Sequence, residues 1–269
     1  MKRLLSILLL AIAYLLFSSH ELFLKTDSYF LESGQASELY LFNGTFDVSE
    51  NKITRDRIQD ARIMGPEYEQ DVVDDDYYDK GNSTFLRFKA GQTGTYVAGI
   101  STIPKMIELD ADAFNEYLDH EGLEDTIEER KQDGSYANGA KEKYSKHVKL
   151  VFQVGDKKTE DYNKFYGYPI EFVPLQNFYE MGVGDSYSFK LLRSGKPLKN
   201  HIVHYSTSMP GKDAHENENS TRTDENGIMT MMPTQAGNWY VATIHMEKSS
   251  EMGVDYESNW ATLTFGVKD

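Results

Sequence analysis

Seven histidines, His20, His120, His147, His201, His204, His215 and His245, carry the chemical potential of a chain that contains no cysteine. Without thiols there are no disulfides, thiolate metal sites or catalytic cysteines, so the available chemistry is that of nitrogen and oxygen. His20 is special if the chain is cut after Ser19. Its free α-amine and its imidazole would then offer two neutral nitrogens on one residue, enough to chelate a single ion. Such donors suit nickel, copper and zinc, whereas magnesium and calcium prefer oxygen. One more histidine would complete a T-shaped, three-nitrogen copper site, and two or more would suit nickel or cobalt. A frayed, solvated terminus is the ordinary alternative.

His201 and His204 look like a ligand pair, but residues three apart on a regular strand point to opposite faces, so at most one of them serves a given ion. His204 shares a face with Ile202 and Ser206, and His245 shares one with Trp239, Val241 and Thr243. For either, a buried ring satisfied by a backbone carbonyl is the ordinary explanation. Alternation turns His147 away from Val148 and Leu150, which makes it a solvent-facing residue by default. His120 and His215 sit in polar segments expected to be exposed. The densest acidic run, Asp71 to Asp79, lacks the alternating oxygens and glycine of a calcium loop and reads as solvated. Met209, Met229, Met231 and Met232 could donate thioethers to copper(I), although core packing is the commoner use of methionine. Nucleotide-binding loops, serine-hydrolase elbows and the zinc-protease motif are all missing.

The elements that would position these residues read as short β-strands bounded by Gly, Asn, Asp and Pro, the pattern of sandwiches or barrels. Val148, Leu150, Phe152 and Val154 share one face of a strand expected to be half buried, and Ala261, Leu263, Phe265 and Val267 point inward on the last strand. One stretch differs: from Asp110 to Arg130 the apolar spacing predicts one or two short helices, capped by Asp110 or Asp112 and interrupted at Gly122. Residues 132–140 read as a mobile loop. Gly195-Lys196-Pro197-Leu198 predicts a hairpin turn, and Gly227 a turn requiring positive φ. The fold class expected is mostly β: two β-sandwich, Ig-like domains, the first carrying the short helical insertion at about 110–130. The expected boundaries are a signal peptide over 1–19, an N-terminal domain over 20–165 and a C-terminal domain over 166–269.

The signal peptide rests on Lys2 and Arg3 ahead of an apolar stretch from Leu4 to Phe17. That stretch spans roughly 21 Å as a helix, short of a bilayer core, so no stable membrane span is expected after cleavage. The 43 acidic and 28 basic residues give a formal charge of -15, which disfavours nucleic acid as a partner. An exported, acidic, cysteine-free chain fits a bacterial periplasm or the extracellular space.

Several segments, taken in order, resemble a known family. They are His20-Glu21-Leu22-Phe23-Leu24, Gly94-Thr95-Tyr96-Val97, Phe114-Asn115-Glu116-Tyr117-Leu118, Lys143-Tyr144-Ser145-Lys146-His147, Tyr168-Pro169-Ile170-Glu171-Phe172 and Tyr256-Glu257-Ser258-Asn259-Trp260. Together they resemble the DUF4198 family of exported bacterial proteins, related to periplasmic nickel- and cobalt-uptake components of the NikK/NikM type. The resemblance implies a histidine at the mature N-terminus, matching His20, and one in the strand that holds His245. His147 matches a basic segment where histidine recurs. This sequence departs from the pattern at Phe42-Asn43-Gly44-Thr45-Phe46, where many relatives carry a histidine.

The resulting expectation is an exported, non-enzymatic protein that binds a transition metal ion through His20, with His245, His147 and His204 as further ligands. Nickel or cobalt is favoured and copper is the alternative. An inner-membrane metal transporter is the partner that the resemblance implies. Two other readings stand beside it: a copper enzyme built on an N-terminal histidine, and a metal-free surface module that binds protein or glycan.

Overall fold

The computed structural model describes residues 21–210 and 212–269. The signal peptide expected over residues 1–19, and His20, lie outside them. The first strands are β1 (Glu21–Thr26), β2 (Phe30–Leu31), β3 (Ala36–Gly44), β4 (Ser49–Asn51), β5 (Ile58–Gly65) and β6 (Tyr68–Asp71). Next come β7 (Tyr77–Lys80), β8 (Ser83–Lys89), β9 (Gly94–Thr102) and β10 (Lys105–Leu109), followed by helices α1 (Ala111–His120) and α2 (Glu124–Asp133). The chain continues through β11 (Ala140–Val154), β12 (Ile170–Pro174), β13 (Tyr187–Arg193), β14 (Lys196–Pro197) and β15 (Ile202–Thr207). It closes with β16 (Asn219–Arg222), β17 (Ile228–Met231), β18 (Gly237–Lys248) and β19 (Tyr256–Val267). The protein is mostly β, as its alternating sequence predicts. No helix among the described residues is long and apolar enough to cross a membrane.

Two compact units emerge from the packing. The larger comprises Glu21–Lys105, Tyr144–His245 and Ser258–Asp269. Its centre is the path β16-β15-β18-β19-β11-β9-β5-β6 of a ten-stranded sheet, in which β2 and β10 also pair with β11, and it draws strands from both sides of residue 165. A five-stranded sheet, β1-β3-β8-β7 with β4, and a four-stranded sheet, β12-β13-β14 with β17, complete it. Alternation sorts the side chains of the central sheet into two cores. Tyr96, Ala98, Leu150 and Phe152 pack with Leu22, Leu41 and Leu86 of the five-stranded sheet. Val97, Val151, Leu263 and Phe265 pack with Phe172, Phe189 and Met229 of the four-stranded sheet. The result is a pair of β-sandwich cores sharing one middle layer.

That shared layer corrects one expectation. β11 is buried on both faces from Ser145 onward, because a second sheet covers the side that polar residues marked as solvent-facing. Its polar side chains are satisfied internally instead. Lys149 donates to Glu171 at 2.9 Å and to the carbonyls of Lys164 and Phe172 at 3.0 and 2.9 Å. Glu171 in turn accepts from the backbone N–H of Tyr166, Gly167 and Tyr168.

The smaller unit includes Met106–Lys143 and Met246–Glu257 and contains both helices. Asp110 caps α1, its carboxylate accepting from Ala113 N–H at 2.9 Å. Gly122, at φ 66, separates α1 from α2, where its missing Cβ permits the left-handed turn. The buried Arg130 of α2 lies over the Phe114 ring, its guanidinium 4.8 Å from the centroid, and donates to the carbonyls of Ser135 and Asn138 at 3.1 and 2.7 Å. Residues 132–140, expected as a loop, are thus held by this side chain and include a 3-10 turn at Ser135–Ala137.

Candidate functional site

The central sheet decides which histidines can meet, because its two faces cannot share a ligand. On β15, Val203 belongs to the core facing the four-stranded sheet, so His204 points the other way. On β18, Tyr240 and Ala242 pack with Phe23 and Phe46 on the β1 side, whereas Trp239 and Val241 face the four-stranded sheet. His245 follows Trp239 and Val241. His147 follows Val151 to that same face. The four ligand positions expected from sequence are therefore divided: His204 lies on the β1 side, His147 and His245 lie opposite, and His20 is outside the described residues.

The β1 side holds the densest constellation. Glu21, the first residue of β1, pairs in register with Gly44 of β3, and its carboxylate stands 3.2 Å from His215 Nε2. The other ring nitrogen of His215 is 3.1 Å from Asp213. Asp213 also accepts from the His215 backbone N–H at 2.9 Å. His204 Nδ1 lies 3.3 Å from Glu218, whose second oxygen accepts from the Tyr240 hydroxyl at 2.7 Å. The segment carrying Asp213 to Glu218 is pinned by Asp47, which accepts from Ala214 N–H at 2.9 Å and from the Ser208 hydroxyl at 2.5 Å. Beneath it, Phe23, Phe46 and Tyr240 form an aromatic cluster with centroids 4.8 to 5.2 Å apart. His215 packs on it, 6.5 Å from Phe23 and 6.1 Å from Tyr240.

Charge balance in this cluster follows from burial and neighbours. Desolvation opposes the imidazolium of His215, but the hydrogen bond and charge of Glu21, with Glu218 and Asp213, outweigh it and raise its pKa to about 9. Desolvation likewise opposes the carboxylate of Glu218, and the bonds from His204 and Tyr240 reverse that and hold its pKa below the usual range. Nearby, Lys25 is pushed down to about 8 by burial, partly offset by Asp47. Its ammonium donates to the Phe46 carbonyl at 2.5 Å. The run Asp-Ala-His-Glu-Asn-Glu reads as exposed surface, which hides His215 from a sequence reading. The available signal was Asp213 two residues ahead, which holds both the backbone and the ring of His215.

His147 departs furthest from its expected setting. It is buried, with 2% exposure, and both ring nitrogens are engaged. Nδ1 shares a hydrogen bond with the Ser101 hydroxyl at 2.9 Å. Nε2 lies 3.0 Å from the Ser145 hydroxyl and 3.2 Å from Asn259 Oδ1. A carbonyl oxygen only accepts, so this set assigns the proton to Nε2 and makes Nδ1 the acceptor from Ser101. Burial pushes the His147 pKa down to about 4, against the Asn259 bond. It is a neutral structural ring whose lone pair is already used.

His245 stands beside His201, ring centroids 5.6 Å apart. The backbone-carbonyl bond expected of His204 or His245 is made by His201, whose Nε2 is 2.9 Å from Ile244 O. Met229 and Met231 are core residues, and Asp74–Asp76 form an exposed 3-10 turn. Among the described residues no group of three or more metal-capable side chains already surrounds a common point.

A protein-family model described as "Domain of unknown function (DUF4198)" matches residues 17–247. No curated protein matches. Among solved structures, the D0-D1 domain of intimin is 12% identical over 91% of this chain and 97% of its own, with a TM-score of 0.21. A DUF4785 family protein from Legionella pneumophila is 9% identical over 81% of this chain and 50% of its own, at 0.26. The Yersinia pseudotuberculosis adhesin InvE is 11% identical over 90% and 58%, at 0.24. Superposition this loose has no bearing on the histidine clusters.

Proposed function

The chain belongs to the DUF4198 family, and we propose that it is an exported protein that binds a transition metal ion at the start of β1. The observation that supports this reading is the gathering of Glu21, His204, His215, Asp213 and Glu218 at the end of β1 that adjoins residue 20. One peptide bond joins residue 20 to Glu21, about 3.8 Å between Cα atoms. A free α-amine and imidazole there would bring two nitrogens to a neighbourhood that already offers two imidazoles and three carboxylates. That donor set, without thiolates, fits nickel, cobalt or copper. Of the supporting ligands expected from sequence, His204 stays in this reading and His215 joins it, while His245 and His147 lie on the other face of the sheet.

The imidazoles of His204 and His215 are held by carboxylates, so an ion would replace a proton on His215 and take over the negative partners that hold it. The net charge of -15, made more negative by loss of Lys2 and Arg3 on cleavage, would raise the local cation concentration, while selectivity would come from ligand type and geometry. Delivery of nickel or cobalt, as cargo, to an inner-membrane transporter from the periplasm is the role that best suits such a protein.

The test is isothermal titration of Ni2+, Co2+ and Cu2+ into the chain beginning at residue 20, into the same chain with one extra leading residue, and into a His215→Ala chain. The expected result is at least a tenfold loss of affinity for both altered chains, the scale seen when even supporting groups of a metal site are removed. Equal affinity across all three would sink the reading.

A further inference from the structure

The outer face of the five-stranded sheet carries a strip of aromatic rings that the metal reading does not use. On β3, Leu39 and Leu41 point into the core beneath the sheet, so Glu38, Tyr40 and Phe42 point outward. On β8, Leu86 and Phe88 point into the same core, which turns Phe85, Arg87 and Lys89 outward. The register sets Tyr40 opposite Phe85 and Glu38 opposite Arg87, and Phe85 opposite Tyr78 of β7. Ring centroids follow one another at 5.1 Å from Phe42 to Tyr40, 5.4 Å from Tyr40 to Phe85 and 5.0 Å from Phe85 to Tyr78. All four residues are partly exposed, and a contiguous open patch of this kind marks an interaction surface.

The polar groups around the strip say what it would take. The Tyr78 hydroxyl donates to Glu38 at 2.7 Å and the Tyr40 hydroxyl to Asp27, so each acid beside the strip is engaged by one of its tyrosines. The Arg87 guanidinium lies over the Tyr78 ring, 4.2 Å from the centroid, and 3.9 Å from Glu38, with its side chain 57% exposed. Lys80, two residues after Tyr78 on β7, and Lys89 are exposed on the same face and make no ion pair among the described residues. Three bases thus gather on one face of a chain whose formal charge is -15, and a local positive field of this kind favours an anionic ligand. Beside Arg87 opens a cavity of about 540 Å³ lined by Tyr68, Gln70, Asp76, Arg87 and Lys89, a volume in the range of small-ligand sites.

Few polymers match both rings and bases. Nucleic acid would stack on the rings, but its dense phosphates meet the negative field of the whole chain. A proline-rich peptide suits an aromatic surface and brings no anion of its own. A pyranose chain bearing uronic carboxylates supplies both parts: apolar C–H faces for the rings and a planar carboxylate for the arginine fork. The steps along the strip are close to the strand spacing of roughly 4.8 Å, comparable to the length that one pyranose adds to an extended chain. We propose that Phe42, Tyr40, Phe85 and Tyr78, with Arg87, Lys80 and Lys89, bind an extended acidic polysaccharide, one carboxylate pairing with Arg87 at the mouth of the cavity. Binding weakens as salt rises, because the basic groups are exposed.

The experiment is isothermal titration of a galacturonate hexamer into the full chain at low salt with a chelator present, which keeps any metal site empty. The expected result is saturable binding that Arg87→Gln weakens at least about tenfold, the scale of one charge-assisted hydrogen bond, and that Tyr78→Ala weakens about fivefold. The paired substitution Lys80→Gln with Lys89→Gln should weaken it and flatten its salt dependence. Absence of binding, equal binding of a neutral glucan hexamer, tighter binding of single-stranded RNA, or an affinity unchanged by Arg87→Gln overturns the proposal. Should Tyr78→Ala fail to fold, the exposed Arg87, Lys80 and Lys89 variants decide alone. The His215→Ala chain should bind the hexamer as the parent does, so failure of the metal reading and failure of this one are separate results.

Discussion

Removing either partner of the buried Lys149–Glu171 pair should destabilise the chain, and the two losses should be unequal. Both side chains are almost wholly inaccessible, at 1% and 0% exposure. In Lys149→Met, Glu171 keeps its backbone donors from Tyr166, Gly167 and Tyr168 at 3.0, 2.8 and 3.1 Å. The cost is that of breaking one buried pair whose remaining charge is still solvated by the backbone, about 3 kcal/mol. In Glu171→Leu the ammonium of Lys149 keeps only the carbonyls of Lys164 and Phe172, and three buried N–H groups lose their acceptor. At about 1 kcal/mol for each orphaned donor, the loss rises to about 6 kcal/mol, a large part of an ordinary domain's stability. Urea unfolding followed by circular dichroism at pH 7 measures both, as midpoint shifts at constant slope. The double variant should be milder than Glu171→Leu alone, since it no longer buries an unpaired ammonium. If Glu171→Leu costs no more than Lys149→Met, the three backbone bonds do not hold the loop before β12 and the reasoning is wrong.

Two further outcomes follow from named contacts. His147 has its pKa lowered to about 4 in the folded chain, so its contribution is present above the unfolded value of about 6.5 and is lost as pH falls toward 4. It amounts to about 3 kcal/mol in total; melting temperatures between pH 7.5 and 4 should drop more steeply for the parent than for His147→Gln, and parallel slopes would contradict the assignment. Asp110→Ala should remove the cap of α1 at about 1 kcal/mol while Asp110→Asn stays within a few tenths, read as faster hydrogen exchange at Ala113; equal exchange in the two variants would argue against the cap.

Local features were the legible ones. Asp110 as a cap, Gly122 as a break and Gly227 at φ 72 each follow from chemistry within a few residues. The hairpin expected at Gly195 to Leu198 is present but its turn lies one residue earlier: Ser194 and Gly195 take positive φ, 49 and 73, as a two-residue turn demands, while Lys196 and Pro197 form β14 against β13. Inward Ala261, Leu263, Phe265 and Val267 followed from alternation, and all four lie in one core. What alternation could not show is a second sheet. It marks one face of β11 by Val148, Leu150, Phe152 and Val154, but the other carries His147, Lys149 and Gln153, which read as solvent-facing until their partners are known. Those partners, Ser101, Glu171 and Thr95, come from distant stretches of chain. His215 was hidden for the same reason, since Asp47 fixes Ala214 from 167 residues away.

The same geometry sets a limit on any metal role. His201, just ahead of β15, and His204 within it are three residues apart, and each finds its companions across strands. His204 meets Glu218, held by Tyr240 of β18, while His201 meets His245 of that same β18. Tyr240 and His245 are themselves five apart, an odd step, and must also face opposite ways. A single ion cannot bridge the two sets without a bulge in one of the two strands, and the register between them is regular from His204 to Thr207. The chain therefore carries a carboxylate-rich cluster at β1 and a pair of imidazoles on the other face, and any ion held at the start of β1, as proposed, would draw on His204 and His215 and not on His201 or His245.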